Sequence, residues 1–158
     1  DVTLSIAREA ARILREGGKV RVKLTRDSDI FIPLGGRVRI ARDARADLFI
    51  SIHADSAPND QAMGASVYTL SAVASDAIAE RLAARENKAD IIGGVNLGGE
   101  FHHFAAFAVL KAPDVPSVLL ETGYVTNRQD AERLFSDDGR RRMARGIARA
   151  IERHLTGK

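Results

Sequence analysis

Leu48-Phe49-Ile50-Ser51-Ile52-His53-Ala54-Asp55 is the stretch whose reading decides the fold. Four of the five residues from Leu48 to Ile52 are apolar, which predicts a buried strand, because a strand covered on both faces need not alternate. The run then stops at an imidazole and a carboxylate. In open α/β sheets, ligands gather beyond the carboxyl ends of the strands, so a histidine at that edge is a candidate metal ligand or acid/base. A second stretch repeats the pattern: Val115-Pro116-Ser117-Val118-Leu119-Leu120 runs directly into Glu121. Two apolar strands that each end in a titratable group predict one site assembled on one sheet edge.

Working outward, residues 2 to 16 place Leu4, Ala7, Ala11 and Leu14 at helical spacing, and Gly17-Gly18 closes that helix. Val20, Val22 and Leu24 alternate with Lys19, Arg21 and Lys23, which predicts a strand polar on one side. A loop follows at Thr25-Arg26-Asp27-Ser28-Asp29, then a helix over about 37 to 46. Beyond the His53 strand, Ser56-Ala57-Pro58-Asn59-Asp60 is a polar loop, placed where a substrate-facing loop would sit. Val67 to Leu70 is a third strand, and Ser75 is read as the N-cap of a helix reaching Asn87. Ile91 to Glu100, with four glycines and no clear period, is read as loop, and Phe107 to Leu110 as a short strand. Thr122 to Asn127 is the expected exit loop after Glu121, followed by helices over about 128 to 135 and 138 to 155. Strands alternating with helices and no dividing linker predict a single α/β domain over 1–158, with a central sheet, mostly parallel or mixed, flanked by helices.

Length and composition bound the function. A chain of 158 residues is long enough to bury roughly 70% of the surface its unfolded form exposes. No apolar run approaches the ~20 residues that span a bilayer, and nothing at the start resembles a signal peptide. The chain opens at Asp1 without a Met, which reads as processed or trimmed. The absence of cysteine excludes disulfides and thiolate metal sites, but fits either side of a membrane. The excess of +3 comes mostly from arginines near the C-terminus: Arg133, Arg140, Arg141, Arg142, Arg145, Arg149 and Arg153. The plain reading is the solvated face of a terminal helix. Nucleic-acid binding would call for interleaved aromatics, and those are only 5% of the chain.

Each candidate residue has a bland alternative. A lone buried histidine is often a satisfied core residue; the strand-end position of His53 favours a metal or acid/base role. Glu121, after three apolar residues, must be paired, metal-bound or solvated, since an isolated buried charge costs several kcal/mol. His102 and His103 are adjacent and would face opposite sides of a strand, so at most one joins a site. His154 lies on the basic terminal helix and is read as surface. Thr25-Arg26 with Asp29 is a salt-bridged loop or a substrate clamp. No Gly-x-Ser-x-Gly elbow is present, and the glycines at 93 to 99 are not followed by the Gly-Lys-Ser/Thr of a phosphate loop. No substrate-binding residue is singled out.

Several blocks taken together resemble a known family: Thr25-Arg26-x-x-Asp29, Ala46-Asp47 through His53-Ala54-Asp55, Gly64-Ala65-Ser66-Val67-Tyr68, and Phe107-Ala108-Val109-Leu110-Lys111 through Glu121-Thr122-Gly123-Tyr124-Val125-Thr126-Asn127. Their order and nearly complete coverage of the chain resemble the zinc-dependent N-acetylmuramoyl-L-alanine amidases of the bacterial division type. The resemblance implies hydrolysis of the amide between the lactyl group of N-acetylmuramic acid and the L-alanine of the stem peptide, in the periplasm, to split septal peptidoglycan. It implies zinc as cofactor, peptidoglycan as substrate and a murein-hydrolase activator protein as partner. His53 falls on the family's last zinc-ligating histidine and Glu121 on its catalytic glutamate.

Two departures set further expectations. The family's first zinc histidine and its zinc-ligating glutamate precede the equivalent of Asp1, so both lie outside residues 1 to 158. Regulated members hold several dozen residues at Gly99-Glu100-Phe101-His102, including a helix that blocks the zinc. Here the expectation is that Glu100 and Phe101 are neighbours in numbering only. The alternative is a wall-binding module that keeps the fold and has lost the metal; intact His53 and Glu121 favour the enzyme.

Overall fold

A computed structural model describes residues 2–69, 77–88, 110 and 114–157, and among these apolar periodicity produces five helices and three strands. In chain order they are α1 Val2–Gly17, α2 Leu34–Asp43, β1 Phe49–Asp55, β2 Ser66–Thr69, α3 Ala77–Asn87, β3 Ser117–Tyr124, α4 Arg128–Phe135 and α5 Asp137–Thr156. The strands form one sheet of order β1-β3-β2. β1 and β3 run parallel: Phe49 N donates to Pro116 O at one end of the pair, and Val125 N donates to Asp55 O at the other, both at 2.8 Å. β2 completes a mixed sheet in a single α/β domain, as the alternation of elements predicted.

The chain gathers into two compact units, and β1 and β3 each begin in one and end in the other. The first comprises Asp1–Asp29, Ile52–Ser66 and Leu120–Lys158. Its core joins Ile6 and Ala10 of α1, Leu134 of α4, and Ala144 and Ile147 of α5, with Ile52, Ala54 and Leu120 of the strands packed against them. The second comprises Ile30–Ser51 and Val67–Leu119. There Leu34 and Ala41 of α2, Phe49, Leu82 and Ala83 of α3, Leu110, Val115 and Leu119 are buried together.

The caps explain where the first unit's helices stop and start. Gly18, at φ +69°, lets its N–H turn back to Leu14 O after α1. Asn127 Oδ1 accepts from Gln129 N and Asp130 N at the start of α4, and Ser136 Oγ accepts from Gly139 N at the start of α5. The α4–α5 corner is tight. A Cβ at Gly139 would stand 2.0 Å from Arg133 O and 2.7 Å from Ser136 Oγ. Gly139→Ala is therefore expected to destabilise the protein by about 1–3 kcal/mol or more, the usual cost of overpacking. At this chain length that is a fall of roughly 2–4 °C in melting temperature per kcal/mol; an unchanged melting curve would show that the corner relaxes freely.

Three expectations need correction. Residues 20 to 24 do alternate between half-buried and exposed, but the described residues include no ladder strand there; alternation fixes which side chains turn inward, while a strand also needs a hydrogen-bonded neighbour. α2 begins at Leu34, directly after Pro33, so Gly35-Gly36 lies inside it instead of preceding it. β3 does not end at Glu121 but continues through Thr122 and Gly123 to Tyr124. The cap at Ser75, the glycine-rich loop at 91 to 100, and the strand at Phe107 to Leu110 fall outside the described residues except for Leu110, which is buried.

Candidate active site

The two pointed residues sit on neighbouring strands and on one face of the sheet. Side chains alternate along a strand. Ile52 and Ala54 of β1 and Leu120 of β3 pack into the core of the first unit. His53, Asp55 and Glu121 therefore face the other way. His53 is half-buried, Asp55 is 8% exposed, and Glu121 is fully buried.

Hydrogen bonds lock this arrangement. Asp55 N donates to Glu121 Oε1 at 2.8 Å, so the carboxylate is held by the backbone of the residue that ends β1. Thr122 Oγ1 donates to His53 O at 2.6 Å, which fixes the histidine's backbone from the next residue of β3. A ring nitrogen of His53 and a carboxylate oxygen of Asp55 lie within 4.8 Å of one another. An imidazole with a carboxylate beside it, half-withdrawn from water, is a donor set of the type zinc takes.

The loop that follows Asp55 is tied to the segment that follows Glu121. Ala57 N donates to Thr126 Oγ1, and Asn127 Nδ2 donates to Asp60 O. Asp130, 3% exposed, accepts at one oxygen from both Gly64 N and Tyr124 N, at 2.7 and 3.1 Å. Gly123 makes room for this carboxylate: its φ is +146°, and a Cβ there would meet Asp130 Cγ at 3.1 Å. Residues 57 to 64 are thus tied to the segment after Glu121 by three side chains, Thr126, Asn127 and Asp130.

Asp55 stands in the His53 stretch with no role assigned from the sequence, and Asp130 is not among the residues that stand out there. The Asn127-x-x-Asp130 spacing before a helix was the available signal. Of the other candidates, Arg26 and Asp29 form the ion pair of a salt-bridged loop, at 3.2 Å. His154 is exposed on α5. His102, His103 and the Glu100–Phe101 junction lie outside the described residues.

A sheet whose parallel strands carry an imidazole and a buried carboxylate on one face, toward their carboxyl ends, has its polar groups where open α/β sheets gather ligands. The comparison with known proteins gives the particular family. Residues 1–153 match the Amidase_3 family, N-acetylmuramoyl-L-alanine amidase, and the chain belongs to it. It is 34% identical to N-acetylmuramoyl-L-alanine amidase AmiC of Escherichia coli O6:H1 over 195 positions, covering 98% of this chain and 47% of that protein. It is 37% identical to AmiA of Escherichia coli K12 over 191 positions, covering 95% and 66%. The chain thus spans between about half and two-thirds of these relatives. Since 195 positions exceed the 158 residues available, AmiC carries residues inside the matched region that have no counterpart here. Among solved structures, the amidase AmiC2 of Nostoc punctiforme is similar at a TM-score of 0.72 and 35% identity, covering 99% of this chain and 83% of that one.

Proposed function

We propose that this protein hydrolyses the amide between the lactyl group of N-acetylmuramic acid and the L-alanine of the stem peptide in peptidoglycan, with zinc, in septal wall splitting on the periplasmic side. The observation that carries the reading is the buried Glu121 carboxylate, held by Asp55 N on the sheet face that His53 shares. Family membership names the bond.

His53 would hold the zinc through its imidazole, with the Asp55 carboxylate placed to orient the ring. When bound, zinc supplies a Lewis acid for the amide carbonyl and a water acidic enough to react near neutral pH. Glu121 takes the proton of the attacking water and delivers it to the amine of L-alanine as the C–N bond breaks. Its burial keeps bulk water from competing for that proton. The remaining zinc ligands are assigned to the stretch that precedes Asp1 in relatives. The Glu100–Phe101 junction is assigned as the place where the extra residues of AmiC have their position, and a murein-hydrolase activator as the partner of chains that carry them. Among the described residues no helix is long and apolar enough to cross a membrane.

Metal dependence is the test. Full-length protein treated with a chelator, then freed of it, is expected to release no peptide from purified peptidoglycan and to recover on addition of zinc. Full release by protein shown by metal analysis to be zinc-free would overturn the zinc assignment.

A further inference from the structure

Helix α5 carries a charge pattern that hydrolysis at His53 and Glu121 does not use. Arg141, Arg145, Arg149 and Arg153 recur at every fourth position, and all four are exposed. The opposite face of the helix, with Ala144, Ile147 and Ala148, is buried in the first unit. Twelve residues of helix at 1.5 Å each extend the stripe over roughly 18 Å. Beside it stand Gly146 and Ala150, and the space at Gly146 is open: a Cβ there would meet nothing within 4 Å.

Neighbouring cations sit in ion pairs and these do not. Arg140 pairs with Asp137, Arg142 with Asp138, and Lys19 with Glu152. Among the described residues, none of the four stripe arginines has an ion pair. Like charges at i, i+4 destabilise a helix. The macrodipole compensates Arg153 in the last turn but does nothing for Arg141, near the N-terminus. The positive field reaches beyond α5: the pKa of Glu9 on α1 is lowered first by its hydrogen bond from Arg12, and also by the charges of Arg141 and Arg145. A helix that lies on anionic lipid needs an apolar face next to its cations. The exposed face here offers little: Ala150, and Leu155 in the last turn at 38% exposure.

We propose that this arginine stripe docks the protein on the peptidoglycan polymer itself, through the free carboxylates that stem peptides carry along the glycan. The inference rests on the reading of the substrate given above, and extends it from the bond cleaved to the surface that holds the insoluble polyanion.

The experiment is co-sedimentation of the full-length protein with purified sacculi, from about 50 to about 300 mM NaCl, a range over which screening shortens markedly. Wild-type binding is expected to weaken steeply with salt. R141Q/R145Q/R149Q/R153Q should bind roughly tenfold or more weakly at the low end and lose most of the salt dependence. The corresponding four-lysine variant should stay near wild type, and amidation of the sacculus carboxylates should reproduce the glutamine defect. A soluble disaccharide–peptide fragment, which needs no polymer docking, should be hydrolysed by the glutamine variant at the wild-type kcat/KM. Failure of the wild type to cleave that fragment counts against the assigned activity, and the sedimentation results judge docking separately. Salt-insensitive wild-type binding, a folded glutamine variant that sediments like wild type, or tighter binding to anionic phospholipid vesicles than to sacculi would each overturn the docking proposal.

Discussion

Glu121→Gln is expected to lower peptidoglycan hydrolysis by about 10²–10⁴-fold, the range that general acid–base catalysis contributes, while zinc content and melting temperature hold. Glutamine keeps an oxygen where Glu121 Oε1 accepts from Asp55 N, so the link between the ends of β1 and β3 survives. It removes the proton acceptor and nothing else of similar size. A neutral amide is also easier to bury than a carboxylate, and Glu121 is fully buried. Glu121→Ala is a poorer test, since it orphans the Asp55 N–H at a cost of about 1–3 kcal/mol. Activity retained in a folded Glu121→Gln protein with normal zinc content would show that the base lies elsewhere.

His53→Ala carries the second large effect and should separate cleanly from the first. Bound zinc and hydrolysis are expected to fall together, because the proposal makes the imidazole a ligand and gives the proton to Glu121. The fold should tolerate the change: Thr122 bonds to the backbone oxygen of His53, which alanine keeps, and the side chain is only half-buried. Metal analysis of the purified variant, read beside its melting curve, is the measurement. Normal zinc content with lost activity would move His53 from ligand to catalyst.

The elements that organise this site were legible because their signals are local. Leu48 to Ile52 could be read as a buried strand, and the structure places β1 at Phe49–Asp55. The stripes of α1 and α5 fall where spacing puts them. Less legible was the end of β3. Apolar character stops at Glu121, but pairing does not: Val125 N still reaches Asp55 O, so the strand runs on through Thr122, Gly123 and Tyr124. The same limit governed residues 20 to 24, where the pattern gave the facing of the side chains but could not supply a ladder partner.

The site divides along the same line. His53 and Glu121 announce themselves as polar groups interrupting apolar runs. Asp130 lies on the surface pattern of a short helix, and nothing local says that Gly123 has left space for its carboxylate or that Gly64, distant in sequence, will bond to it. Such long-range hydrogen bonds are decided by tertiary structure. Asp55 is intermediate. Its place two residues after His53 implies a shared face, but its nearness to the ring emerges only from coordinates.

The bond that is cut tests the account most directly. Purified peptidoglycan digested with the full-length protein, and with its Glu121→Gln variant as control, can be resolved by mass spectrometry after reduction and separation. The account predicts intact stem peptides with a free amino group on L-alanine, together with glycan whose N-acetylmuramic acid carries an unsubstituted lactyl carboxylate, both absent from the control. Soluble fragments in which every lactyl–alanine amide remains joined, or no fragments from zinc-loaded protein, would contradict it.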